Sequence, residues 1–165
     1  MRDTVVKAKV GAEPVDLERI YREDGPKLQR ALLLFTGDRD VADDAVAEAF
    51  AQALARGSEL RKPSGWIWSV AFRIAGAAMK ERRRHVEALD RHLKPVVEEP
   101  DIPLTLMAAL AELTPKQRGA LVLFPLAGYP TREVVRMLGS TPPAVTVHLS
   151  VGRKRLRRLL EDRDD

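Results

Sequence analysis

The sequence predicts an all-α protein built as two small helical domains joined by a linker. Apolar residues recur at steps of three and four through most of the chain, and no sustained alternation of apolar and polar residues is present, so strands are not expected. Around Lys94 to Pro103 the helical period is interrupted by Pro95, Pro100 and Pro103 among the acids Glu98, Glu99 and Asp101. A chain of 165 residues lies between one ordinary domain and two small ones. The interruption decides for two, at 14–93 and 104–162, with 94–103 between them.

The first domain reads as three helical stretches. Asp16 can cap a segment carrying Leu17, Ile20 and Tyr21. Gly25-Pro26 is expected to break or bend the chain before Leu28, Leu32, Leu33 and Phe35 resume the period. Gly37 stands where a left-handed cap ends a helix, and Asp40 is a plausible N-cap for the next, which runs from Val41 to Arg56 and stops at Gly57-Ser58. Lys62-Pro63-Ser64-Gly65 opens a third helix bearing Trp66, Ile67, Val70, Ile74 and Ala77. In the second domain the patterns cover Leu104 to Leu113, Pro115 to Ala127 after a Thr114 cap, Thr131 to Leu138, and Pro142 to Leu160 after a Thr141 cap. Proline at the first helical position forfeits no hydrogen bond, so both Thr-Pro pairs are helix starts.

Composition excludes several function classes. Cysteine is absent, which rules out disulfides, thiolate chemistry and Cys-ligated zinc and fits a cytoplasmic setting. The histidines, His85, His92 and His148, show no ligand spacing, and there is no phosphate loop or nucleophile elbow, so neither cofactor nor catalytic residues are expected. Met1 to Val10 lacks the apolar core of a secretion signal, and the apolar run Ala120 to Ala127 is too short to insert in a membrane. The net charge of +4 hides strong segregation: Glu13 to Leu60 holds 6 basic and 11 acidic residues, and Arg61 to Arg84 holds 7 and 1. Arg153, Lys154, Arg155, Arg157 and Arg158 form a second basic cluster. Such segregation suits two kinds of partner, one of them a polyanion.

Three faces stand out on helical wheels. Thr131 to Leu138, Gly139 and the helix from Pro142 have helix-turn-helix form. Val145, Leu149, Gly152, Leu156 and Leu159 turn inward, and Pro143, Thr146, Val147, Ser150 and Lys154 turn outward. On the helix from Trp66, the residues Ser69, Arg73, Gly76, Lys80 and Arg83 make one cationic stripe, in which the mid-helix glycine suits close backbone approach. Trp66 reads as core, whereas Trp68 reads equally as core or as a base-stacking surface. On the Val41 to Arg56 helix, Val46, Phe50, Ala53 and Leu54 are expected to point inward. Asp44, Glu48, Ala51 and Gln52 then form an acidic outer face suited to a basic or helical protein partner. The alternative reading of each face is a solvated helix surface.

Together these residues resemble the bacterial RNA polymerase sigma factors of the extracytoplasmic-function group, over about Asp16 to Leu160. The resemblance rests on Tyr21-Arg22-Glu23-Asp24-Gly25-Pro26, Thr36-Gly37-Asp38-Arg39-Asp40, Asp43-Asp44 and Glu48-Ala49-Phe50. It continues through Gly65-Trp66-Ile67-Trp68, Arg82 to Arg84, and Leu113-Thr114-Pro115-Lys116-Gln117-Arg118. The last pieces are Gly128-Tyr129, Arg132-Glu133-Val134, Leu138-Gly139-Ser140 and Arg153-Lys154-Arg155-Leu156. It implies a non-enzymatic, cytoplasmic sigma factor that binds core RNA polymerase, directs it to promoters and assists opening. The first domain corresponds to sigma region 2 and the second to region 4.

By that resemblance Asp43, Asp44, Glu48 and Gln52 meet the clamp helices of the polymerase β′ subunit. Trp68, Ser69, Arg73, Lys80, Arg83 and Arg84 hold the minus-10 element as a single strand. Thr131, Arg132, Thr146, His148, Ser150, Arg153 and Lys154 read the minus-35 duplex while part of that domain rests on the β flap. The acidic linker lies where nucleic acid later passes, and an anti-sigma protein is a further possible partner. Arg73 stands where many family members have Asn, and Val135 where they have Ala. Two alternatives follow: a stand-alone helix-turn-helix regulator, and a sigma-like protein that no longer opens promoters.

Overall fold

The computed structural model describes residues 14–88 and 101–164, which form seven α-helices and no strand. Most of the expected linker, including Glu98 and Glu99, lies outside the described residues, as do 89–93 and His92. Helices α1 (Leu17–Thr36), α2 (Arg39–Arg56) and α3 (Pro63–Ala88) make the first lobe. The second comprises α4 (Leu104–Ala111), α5 (Pro115–Leu121), α6 (Thr131–Leu138) and α7 (Pro142–Asp164).

Capping side chains set most helix starts. Asp16 accepts from the Arg19 N–H at 2.9 Å, and Thr114 and Gln117 form a reciprocal capping box at α5. Thr141 accepts from the Ala144 N–H at 3.3 Å to start α7. Two expectations need correction. Helix α1 runs unbroken through Gly25-Pro26, because the lost proline N–H removes a single rung while Ile20 and Leu28 on either side hold the helix in the core. The N-cap of α2 is Asp38, not Asp40: its carboxylate accepts from the N–H groups of Asp40 and Val41 at 3.0 and 3.2 Å. The same carboxylate pairs with Arg82, tying the start of α2 to α3.

In the second lobe α5 passes directly into a single π-helical stretch at Val122–Leu126. Pro125 has no N–H, and the Ala127 N–H reaches back five residues to the Val122 carbonyl at 2.9 Å. The turn between α6 and α7 depends on Gly139 at φ 56°, a left-handed conformation that a side chain would strain. Lys116 donates to the Leu138 carbonyl and closes the end of α6.

The two lobes share one buried apolar cluster. Its seam joins α3 to α6, and α1 to α4, α5 and the π-helical stretch. Close approach there requires Gly119, where an added Cβ would lie 2.7 Å from Leu138 Cδ2 and 3.2 Å from Phe35 Cε2.

Candidate nucleic-acid interface

The helix-turn-helix face is the most complete of the three. Val145, Leu149 and Gly152 are buried, Leu156 and Leu159 half-buried, and Thr146, Val147, Ser150, Arg153 and Lys154 exposed, as the helical wheel requires. Thr131, Thr146, Ser150, Arg153 and Lys154 line a single shallow cleft of about 600 Å³, so five of the seven expected minus-35 residues converge. Two others stand aside. Arg132 is exposed and 4.0 Å from Glu133, and His148 is half-buried outside the cleft lining. The cleft gains Arg157, which the sequence reading left out although it follows Arg153 by one helical turn. Short hydroxyls at the start of α7 and cations two turns later match the division between base-edge and phosphate contacts.

Along α3, Arg73, Lys80, Arg83 and Arg84 are exposed and Ser69 is half-buried, so the cationic stripe faces outward. Arg82 belongs to the fold instead, through its pair with buried Asp38. Gly76 has open space beyond its Cα, and no backbone within the chain approaches it. Trp68 is 5% exposed and lies between Phe72, with centroids 6.1 Å apart, and Tyr129 of the other lobe, 5.2 Å away. It is therefore core in this arrangement, and a stacking face exists only where Tyr129 is absent. Trp66 is half-buried, with the Arg56 guanidinium 5.2 Å from its ring centroid.

On α2, Asp43, Asp44 and Glu48 are exposed and Gln52 is half-buried. Gln52 donates to Glu48 at 2.8 Å, and Asp43 accepts from Gln29 of α1 at 3.0 Å, which fixes part of the acidic surface. Leu54, expected inside, is 72% exposed: the buried stripe of α2 is carried largely by alanines, Ala42, Ala45, Ala49 and Ala53, and Leu54 falls outside it. Beside the acidic face an open groove between α1 and α2 is floored by Tyr21, Val46, Ala47 and Phe50.

Sequence reading also missed the charge at the seam. Arg118 is buried, and its guanidinium donates to the Phe35 carbonyl of α1 at 2.8 Å and to the Leu113 carbonyl at 3.0 Å. Burial first, and then the positive charge of Arg83, hold its pKa below the usual arginine value. Tyr129 is the second polar seam residue. Burial, with Asp24 and Glu133 adding to it and a hydrogen bond with Ser64 opposing it, pushes its hydroxyl up to about 12. The Ser64 hydroxyl in turn donates to the Asp24 carboxylate.

Comparison with known proteins agrees with this layout. Residues 104–156 match the family model described as sigma-70, region 4. The ECF RNA polymerase sigma factor EcfG of Rhodopseudomonas palustris is 26% identical over 144 residues, covering 82% of this chain and 80% of that one. The RNA polymerase sigma factor CarQ of Myxococcus xanthus is 24% identical over 155 residues, covering 87% and 88%. The chain is thus similar to RNA polymerase sigma factors over most of its length, and residues 104–156 carry the family match. Two solved structures share its fold. The sigma factor RpoE from Bartonella quintana, crystallised with the anti-sigma factor NepR, gives a TM-score of 0.77 at 21% identity, covering 88% of this chain and 97% of that one. CnrH, in complex with the cytosolic domain of CnrY, gives 0.63 at 18% identity and 88% coverage of both. No described helix is long and apolar enough to cross a membrane.

Proposed function

We propose that this sigma factor binds core RNA polymerase through the acidic face of α2, holds the opened minus-10 strand along the cationic stripe of α3, and reads the minus-35 duplex with α7. The likeness to sigma factors, with region 4 matched at residues 104–156, supports a role in promoter-directed transcription initiation. The assignment of 14–93 to region 2 and 104–162 to region 4, a non-catalytic role and a cytoplasmic location are parts of this reading. One observation carries it: Thr131, Thr146, Ser150, Arg153 and Lys154 converge on one cleft of a helix-turn-helix, while a separate acidic face lies open on α2. A stand-alone regulator has no use for the second surface.

The physics of each face fits its task. Capture of an unpaired strand needs cations spaced along a backbone, and Arg73, Lys80, Arg83 and Arg84 supply them. Docking on a basic helical partner needs exposed carboxylates, supplied by Asp43, Asp44 and Glu48. The β flap and an anti-sigma factor are further partners under the same reading, since a sigma factor crystallised with an anti-sigma factor shares the fold.

Reconstitution with sigma-free core polymerase tests it. Stable holoenzyme is expected, and Asp44→Lys with Glu48→Lys should weaken its assembly at least tenfold without changing duplex binding by the full chain. Equal loss of both activities would mean unfolding and count against α2 as the docking face. Holoenzyme that opens no promoter from a random library would favour the sigma-like protein without promoter opening.

A further inference from the structure

Four aromatic rings run in series across the seam between the lobes. Phe35 of α1 stacks on Phe72 of α3 at 5.0 Å, Phe72 lies nearly parallel to Trp68 at an interplanar angle of 8°, and Trp68 meets Tyr129 at 5.2 Å. The first three belong to one lobe and the last to the other. Tyr129 packs on Trp68 from the second lobe at an interplanar angle of 54°. Nearby, the Ser64 hydroxyl donates to the Asp24 carboxylate, and both residues act on the Tyr129 phenol.

The seam that holds Tyr129 in place is incompletely packed. Its polar ties include the Arg118 donation to the Phe35 carbonyl and the Arg30 donation to the Asp101 carbonyl at 3.0 Å. Beside them a cleft of about 330 Å³ remains between the lobes, lined by Leu34, Trp68, Ile102, Leu106, Val122 and Leu126. Side chains along such a gap lack partners on one side, so the lobes gain little from contact there. Opening the seam exposes part of the shared apolar cluster but leaves the helix packing within each lobe in place.

We propose that Tyr129 is an intramolecular stopper: its ring occupies the stacking face of Trp68, and separation of the lobes frees that face for an unpaired nucleobase. A phenol is suited to the part, since it presents a π-face with a polar edge, the same two features by which an unstacked base is held. The inference rests on the proposed reading of α3 as the single-strand track. In the closed chain Arg73, Lys80 and Arg83 already face outward, so a strand can meet the cations before it gains the stacking surface. The closed form then binds single strands by charge alone.

Full-length chain with Trp66→Phe, which leaves Trp68 as the only tryptophan, tests the stopper by acrylamide quenching of Trp68 fluorescence and by anisotropy of a labelled single-stranded oligonucleotide. Tyr129→Ala should raise the quenching constant severalfold and the oligonucleotide affinity about tenfold, within the range for one stacked base. Tyr129→Phe keeps the ring and should leave Trp68 shielded. Arg30→Ala, which removes the tie to the Asp101 carbonyl without touching either ring, should move both readings in the same direction as Tyr129→Ala, and it keeps the test open if that variant misfolds. A Trp68 that stays shielded in both, or becomes exposed without any gain in affinity, would overturn the stopper. If Trp68→Ala in the Tyr129→Ala chain leaves single-strand affinity unchanged while quenching had shown exposure, the covering is real and the single-strand role of Trp68 is refuted, and the stopper with it.

Discussion

Arg118 places a full guanidinium at the seam with backbone carbonyls as its hydrogen-bond partners, and their positions explain how. The Phe35 carbonyl belongs to the last turn of α1 and the Leu113 carbonyl follows the end of α4, so the cation sits against two helix C-termini, where carbonyl partial charges are unpaired by the helix. Tyr129 is the neighbouring residue whose protonation state matters to the same seam. Its folded pKa lies near 12 against an ordinary 10.0, so its contribution to closure is fully present below pH 10. Above that pH the open chain releases the phenolic proton and the closed chain retains it, so closure is progressively lost as pH rises through about 12. Quenching of Trp68 should therefore increase from pH 10 upward, and Tyr129→Phe should remove that component while leaving any effect of lysine titration. An identical profile in both chains would show that the phenol does not govern the seam.

At the scale of helices, α3 offers a direct way to separate a structural glycine from a functional one. Gly76 lies mid-helix with open space around it, so nothing within the chain demands a glycine. Gly76→Ala should stabilise the helix by about 1 kcal/mol and raise the melting temperature by about 2–4 °C for a chain of this size. If nucleic-acid backbone approaches closely there, the same change should lower open-complex formation by reconstituted holoenzyme. Stabilisation with undiminished opening would remove Gly76 from the DNA path. Most helices themselves were legible because their caps and periods are local: Asp16, Thr114 and Thr141 act within three residues of where they stand. Pro26 misled because a single proline is tolerated when both flanks are buried, and Leu54 misled because the alanine-rich contact stripe of α2 leaves no period to read. The convergence of Thr131 with Ser150 and Arg153 was legible from the helix-turn-helix form. The seam was not, because Phe35, Trp68, Phe72 and Val134 each read as ordinary core of their own helix, and nothing in a local pattern distinguishes burial within a lobe from burial between lobes.

For the molecule as a whole, charge segregation is the property that ties these parts together. The acidic excess of Glu13 to Leu60 lies largely on α1 and α2, and the basic excess lies on α3 and along α7, so one side suits a protein partner and the other a polyanion. The arrangement also carries an internal conflict, since Arg83 of the stripe acts on buried Arg118 of the second lobe and lowers its pKa. A phosphate drawn to Arg83 would relieve that repulsion, so a backbone contact there is compatible with the closed seam. Salt dependence measures the cations directly. For the full chain, Lys80→Ala and Arg83→Ala should each reduce the slope of log affinity against log salt for a single-stranded oligonucleotide by about 0.7, the value for one phosphate contact. Neither should change the slope for a minus-35 duplex read by α7. An unchanged single-strand slope would place the strand elsewhere on the molecule, and an equal change in both slopes would mean that the stripe acts through overall charge instead of contact.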